Sequence, residues 1–398
     1  MFIGLAFFAT YFGAGNLIFP PMLGLQSGDQ WGLGMIGMLA SGVGLPILEL
    51  LVLGQCGSVQ KISDHVNKRF FNLFIGMIML VCCCVSIPRT AAVGIEMGLQ
   101  GVWSDAPYFP AVIVYFLIAF LFSKDRGSVL DKVGKFLTPV MTVILIVLVI
   151  KGAVDPIGTP GQATVDNAML NTIKDKGYHG AQMRKVNLGA GLIAALCLCI
   201  VYGGLLFMGA CVSSQYSTNI GNADLLLAII RSSGGQVAIY GLCLSVVLAC
   251  LTTAIGQVTA VADFFETATH GKLPYKILVM VVPVITAIVA SFGLDTIVAL
   301  TSPWFSFAYP IALVLMILGV FEKVIPNDGA FKGATYLTVV FAFADLPAQY
   351  GVHIAALDAI LNKIPLYSAG FGWIVPAVVG FVAGLLLYAR KGKSAQAV

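Results

Sequence analysis

Runs of apolar residues long enough to cross a bilayer recur from one end of this chain to the other, and they restrict its fold more than any single motif does. A hydrocarbon core of about 30 Å takes about 20 helical residues. Inside it the backbone has no water to bond, so a spanning segment is a helix or a strand of a closed barrel. The runs lie at about 2–25, 31–54, 70–97, 107–122, 133–150, 187–212, 236–264, 275–293, 303–320, 331–349 and 370–389. These are longer than the segments of about 10 residues that build barrels. The expected fold class is therefore an all-α polytopic membrane protein with about eleven spans. Charge supports this: only 10% of the 398 residues are charged and the mean hydropathy is +0.96, whereas soluble domains carry about 25% charge. Two amphipathic segments, Ala223–Ser233 and His353–Lys363, are expected to be interfacial helices.

The same reading excludes several function classes. The net charge of +4 is small and sits in loops, so it argues for membrane orientation and against nucleic acid as a partner. Most of the nine cysteines, Cys82-Cys83-Cys84 among them, fall in apolar spans and read as small fillers. No Cys/His spacing suggests a metal centre or cofactor. No nucleophile–base constellation sits in the spans, so the chain is not expected to be an enzyme. No repeated filter sequence points to a pore. No basic segment precedes the first apolar run, so no cleavable signal peptide is expected.

Basic residues cluster in alternate loops: Lys61, Lys68 and Arg69; Lys124, Arg126, Lys132 and Lys135; Lys174, Lys176, Arg184 and Lys185; Lys272 and Lys276; Lys323 and Lys332; Arg390, Lys391 and Lys393. Loops 98–108, 213–222 and 294–302 contain no lysine or arginine. The positive-inside rule makes the basic loops cytoplasmic, and both termini with them. That assignment carries a parity conflict. Span five should leave the chain outside near residue 150, yet the span at 187 starts beside the basic cluster Lys174–Lys185. One crossing is needed between them. Gly152–Lys185 holds no apolar run near 18 residues, and charged residues cost roughly 2.5–3.5 kcal/mol each at a membrane helix centre. Either the second half inserts against its charge bias or a span is missing.

The first run is also interrupted. Phe12-Gly13-Ala14-Gly15-Asn16-Leu17-Ile18-Phe19-Pro20-Pro21 places two glycines and two prolines in a would-be membrane helix. Glycine costs about 1 kcal/mol per helical position relative to alanine, and proline removes an amide donor. Such a break is tolerated in a membrane only where the backbone is buried in protein or lines a cavity. Broken helices of this kind build substrate and ion sites in many secondary transporters. A glycine face packed on a neighbouring helix is the plainer reading.

Three segments together resemble the signatures of the bacterial branched-chain amino acid:cation symporter (LIVCS) family. They are Phe12–Pro21, Ile87-Pro88-Arg89-Thr90-Ala91-Ala92 and Leu251-Thr252-Thr253-Ala254-Ile255-Gly256. They occur in the family's order, and the resemblance extends over essentially the whole chain. It implies a single transmembrane domain over 1–398 with a leucine-transporter-like inverted-repeat fold and twelve helices. The first repeat would cover about 1–150 and the remainder of the second about 187–398. The family's sixth helix should fall between Thr164 and Ile173, where the chain runs straight through. The resemblance and the parity argument therefore indicate the same missing span, in the junction 151–186. The sixth helix is the repeat partner of the first and forms half the pocket.

The resemblance further implies uptake of leucine, isoleucine or valine across the bacterial inner membrane, coupled to Na+ or H+, with no other cofactor. Amides at Gly13, Ala14, Gly15 and Asn16 would receive the substrate carboxylate. Carbonyls of Ala9, Phe12 and Ala249 with the hydroxyls of Thr252 and Thr253 would form the cation site. The plainer reading of the threonines is bonding back to their own helix. Glu49, inside span two, binds a proton or cation or else bonds the backbone of a broken helix. Arg89 and Glu96, seven residues apart, share a helix face and form a structural ion pair or a gate.

Overall fold

The computed structural model describes residues 12–13, 15–56, 59–124, 138–162, 185–368 and 370–395, and every regular element among them is helical. In chain order these are α1 (Gly15–Ser27), α2 (Trp31–Leu39), α3 (Leu45–Cys56), α4 (Val59–Asp64), α5 (Lys68–Val81), α6 (Ile87–Val93), α7 (Tyr108–Ser123) and α8 (Thr138–Val154). There follow α9 (Lys185–Cys211), α10 (Asn222–Ala268), α11 (Tyr275–Ala290), α12 (Leu294–Val320), α13 (Asp328–Gln349), α14 (Ala355–Leu361) and α15 (Ile374–Ala395). Each expected span after the first coincides with a helix or a run of helices. Span two is α2 and α3 joined by a π-helical turn at Ala40–Gly44. Span three is α5 and α6, with π turns at Cys82–Ser86 and Gly94–Leu99. Such turns mark places where a side chain must be re-aimed.

The chain divides into two compact units, residues 1–47 with 82–294 and residues 48–81 with 295–398. The first is built around α10. Ala249, Cys250, Ala254, Ile255, Val258, Val261 and Ala262 on it are all fully buried. Their small side chains let neighbouring helices approach closely, which is how helices associate where lipid offers no hydrophobic drive. Gly94 and Gly98 meet α10 in this way, at Cys250 and at Val247. On the other side α1 lies on α9. A β-carbon at Gly24 would collide with the Leu206 carbonyl, and one at Gly209 with that of Pro21. The two backbones therefore touch, and only glycine fits at either crossing.

α10 is two helices in one. Its run is broken at Gly235, whose φ of 61° and ψ of −155° are open essentially to glycine alone. The part before the break contains the amphipathic segment Ala223–Ser233. Leu225, Leu226, Ile229 and Ile230 there are at most 1% exposed. That segment was expected to lie on lipid; its apolar side is instead covered by protein. The segment around 353–363 forms the short α14, where Leu361 is buried and Ile354 and Ile360 are exposed.

One set of contacts fixes the direction of the helices around the junction. Beyond α8, the Gly161 amide donates to Ser213 Oγ at 2.7 Å, and the Gly161 carbonyl accepts from the Asp29 amide at 2.6 Å. Ser213 follows the end of α9 and Asp29 the end of α1. The C-terminal ends of α1, α8 and α9 thus lie together. α8 and α9 are parallel, with Gly152 beside Met208 and Val149 beside Gly204.

In the second unit α13 and α15 cross at two glycine pairs, Gly329 with Gly384 and Gly333 with Gly380. Both helices carry the small-xxx-small spacing that brings membrane helices into backbone contact. His65, just after α4, joins the loop before α13: its Nδ1 is 2.7 Å from Asp328 Oδ1 and its Nε2 is 3.3 Å from Glu322 Oε1. The ring stacks on Phe331 at 4.6 Å. Burial pushes this imidazole down, but the hydrogen bonds to Asp328 and Glu322 and their charges outweigh it, so it titrates above its ordinary value.

Candidate functional site

Residues 12 and 13 are non-helical and α1 begins at Gly15. The Asn16 amide donates to the Gly13 carbonyl at 3.1 Å, closing a turn. That donor, expected to face a carboxylate, is therefore already used. The remaining first-turn amides of α1 keep the partial positive charge of a helix N-terminus. Pro20 and Pro21 lie inside α1 and have no amide to give to the carbonyls four residues before them. Ala14 and Ala9, assigned from sequence to the substrate and cation sites, lie outside the described residues.

The lead-in to α1 is held by its first aromatic. Phe12 is fully buried, and its ring stacks with that of Tyr202 on α9 at 6.3 Å. This places the Phe12 carbonyl against α10. Thr253 Oγ1 lies 3.4 Å from that carbonyl oxygen and donates to the Ala249 carbonyl at 2.9 Å. Thr252 Oγ1 donates to the same Ala249 carbonyl, also at 2.9 Å. A β-carbon on Gly13 would sit 3.5 Å from Thr253 Oγ1, so the unwound backbone runs directly over the hydroxyl. The plainer sequence reading of these threonines is what the bonds show, with one addition. They bond back to their own helix, and Thr253 also reaches the Phe12 carbonyl ahead of α1.

Chemically the cluster is four oxygens, two carbonyl and two hydroxyl, supplied by two elements. All are neutral and hard, the donor type that suits cations such as Na+ or Ca2+. Six oxygens at about 2.4 Å from an ion stand about 3.4 Å apart, close to the Thr253–Phe12 separation. Rotating the hydroxyl protons away from Ala249 would turn two lone pairs toward such an ion.

Arg89 lies on α6, one turn past the π segment Cys82–Ser86. Its guanidinium carbon is 5.7 Å from the centre of the Phe19 ring on α1, and its Nη2 lies 3.6 Å from where a β-carbon on Gly15 would be. The pair with Glu96 is not formed. Between the two residues the helix passes into the π turn Gly94–Leu99, which takes more residues per turn, so the alignment of an ideal α-helix does not apply. The i, i+7 spacing therefore misled, because it assumed an unbroken α-helix. Glu49 lies half-buried on α3 in the second unit.

Two polar groups near the site were missed from sequence. Gln257 follows Thr253 by one helical turn, and its Nε2 donates to Ser86 Oγ at 2.7 Å. Its Oε1 is buried without a hydrogen-bond partner among the described residues. The i+4 spacing from Thr253 was a legible signal. Tyr115 on α7 donates to Thr90 Oγ1 at 3.2 Å, next to Arg89, and nothing in the sequence links those two.

A helical membrane domain with a helix that starts at Gly15, its non-helical lead-in laid over paired threonines of another helix, has features that secondary transporters use at their sites. The fold agrees. A Na+-coupled sialic acid symporter superimposes with a TM-score of 0.59, covering 97% of this chain and 89% of that one at 14% identity. A manganese transporter of Eremococcus coleocola matches with a TM-score of 0.55 over 96% and 94%. The chain belongs to the family described as branched-chain amino acid transport protein, whose model matches residues 1–169 and 167–391. It is 31% identical to the branched-chain amino acid permease BraB of Bacillus subtilis, over 99% of this chain and 96% of that protein. It is 28% identical to the permease BrnQ of Escherichia coli K12, over 98% and 96%. The BraB alignment runs over 429 positions against the 398 residues here, so at least 31 positions have no counterpart in this chain.

Proposed function

We propose that this chain is a secondary transporter that carries leucine, isoleucine or valine across the bacterial cytoplasmic membrane together with a cation, Na+ in the first instance. The observation that carries the reading is the oxygen cluster of Phe12, Ala249, Thr252 and Thr253 just ahead of the start of α1. The amino acid would lie at the N-terminal end of α1, its carboxylate toward the first-turn amides of Gly15 and its neighbours. The permease names of the relatives support the substrate class. Alternating access would rock helices around this fixed site. Both termini are assigned to the cytoplasm from the basic loops.

The test is leucine counterflow in proteoliposomes under imposed Na+ and H+ gradients. Accumulation of labelled leucine that needs the Na+ gradient is the expected result. Accumulation that follows the proton gradient alone would remove Na+ from the reading. No counterflow under any gradient would remove transport.

A second reading, a non-transporting homologue, has its own support. The two family matches meet at residues 167–169, the relatives' alignment is longer than the chain, and α8 runs parallel to α9. Parallel neighbours in sequence need a crossing between them, and 163–184 is too polar to supply a membrane helix. This reading expects leucine binding without counterflow. Labelling of single cysteines introduced at 174–185 from the cytoplasmic side only would agree with it. Labelling from outside would show instead that the second half is inverted.

A further inference from the structure

We propose that Arg89 is the residue that binds the α-carboxylate of the substrate, so that recognition of the amino acid's anionic end rests on a side chain as well as on the backbone of α1. The proposal rests on the transport reading above and deepens it.

Three observations lead there. Arginine keeps its charge in any protein setting, and a charge inside a membrane span faces a partner, a cavity or a pathway. Among the described residues the Arg89 guanidinium has no hydrogen bond and no ion pair; it lies over the face of Phe19 and beside Gly15. Glu96, the carboxylate seven residues on along the same span, forms no ion pair with it.

The second observation is electrostatic. Arg89 Nη2 stands beside Gly15, the first residue of α1. A helix N-terminus carries about half a positive charge. A cation set against it is repelled unless an anion lies between them. An amino acid carboxylate satisfies both, since it can take two guanidinium N–H groups in a fork and first-turn amides together.

The third is Gln257 Oε1, a buried amide atom without a partner among the described residues. Its amide is anchored on Ser86, three residues before Arg89, and it sits one turn past Thr253. It thus ties the Arg89 segment to the helix that carries the proposed cation oxygens. An acceptor left open there suits an ammonium group, the other end of a zwitterion.

The experiment compares leucine with leucinol, which keeps the side chain and ammonium but has no carboxylate, as competitors of labelled isoleucine binding to purified full-length protein. Wild type should prefer leucine to leucinol by at least about tenfold, the value of a hydrogen bond to a charged group. Arg89→Gln should lose most of that preference while keeping its affinity for leucinol, and Arg89→Lys should keep more of it. A purely structural Arg89 would weaken both ligands alike. If Arg89→Gln does not yield folded protein, phenylglyoxal modification of wild-type Arg89, located by mass spectrometry, replaces it. Leucine should then slow the reaction and leucinol should not. An unchanged leucine preference in Arg89→Gln, or equal protection by both ligands, overturns the proposal while leaving the transport reading standing. Failure of wild type to bind isoleucine or leucine at all overturns the transport reading, and this proposal with it.

Discussion

Thr253→Val removes one hydroxyl and leaves the side chain's volume and branching nearly unchanged. In the structure that hydroxyl does two things. It donates to the Ala249 carbonyl four residues before it, and it approaches the Phe12 carbonyl ahead of α1 at 3.4 Å. If the first role were all, the cost would be small. The Ala249 carbonyl still receives Thr252 Oγ1 at 2.9 Å, and an ordinary hydrogen bond contributes about 0.5–1.5 kcal/mol to stability. If the hydroxyl is a cation ligand, the loss falls on ion binding. Interactions with a charged group contribute about 1.5–3 kcal/mol, which at 1.4 kcal/mol per tenfold is about 10- to 150-fold in the half-saturating cation concentration. The assay is leucine binding to purified protein titrated with NaCl at constant ionic strength, with thermal unfolding measured in parallel. The expected result is a large rise in the Na+ needed for Thr253→Val, with little change in melting. Thr253→Ser should restore most of the cation response. A Na+ half-saturation in Thr253→Val within twofold of wild type, with leucine binding intact, would refute the ion site and leave only the helix-internal bond.

Three further outcomes follow from packing, backbone and charge. Gly209→Val pushes a branched side chain into the Pro21 carbonyl of α1; overpacking costs typically about 1–3 kcal/mol, so the detergent-solubilised protein should unfold at lower temperature, and an unchanged melting temperature would contradict the backbone contact. Gly235→Ala forces an L-residue into φ 61°, ψ −155°, a cost on the order of 1–3 kcal/mol that the same assay reads, whereas alanine at Gly256, where a β-carbon meets nothing, should be tolerated. His65 is raised above its ordinary 6.5 once the pull of Asp328 and Glu322 overcomes burial, so its charged link adds stability fully present below pH 6.5 and lost as pH rises through the higher folded value. The partners are partly exposed, which holds that contribution to about 1 kcal/mol or less. His65→Gln should flatten the melting-temperature slope relative to wild type over that window, and identical slopes would show that the link carries no linkage.

Apolar runs near 20 residues long can only be helices in a bilayer, so the helical, multi-span fold was determined by the sequence itself. That regular helix would not hold at Gly13 was legible for a similar reason, since glycine acts on the backbone of its own segment, but Pro20 and Pro21 do not interrupt α1, which runs through both. The amphipathic stretch Ala223–Ser233 was legible as a helix, but whether lipid or protein would cover Leu225 and Ile229 depended on what packs there. Which atoms meet was decided only in three dimensions. Thr253 and Phe12 are separated by 241 residues, and nothing local in the sequence says that the hydroxyl of one will stand over the carbonyl of the other. Arg89 shows the limit most clearly. Its spacing from Glu96 obeyed the rule for an ideal helix, and the π turn at Gly94–Leu99 broke that rule by inserting extra residues into one turn. Sequence alone determined that a charge lies inside the membrane. The tertiary structure decided that it faces the start of α1, because helix register and close packing are set by all the neighbours at once.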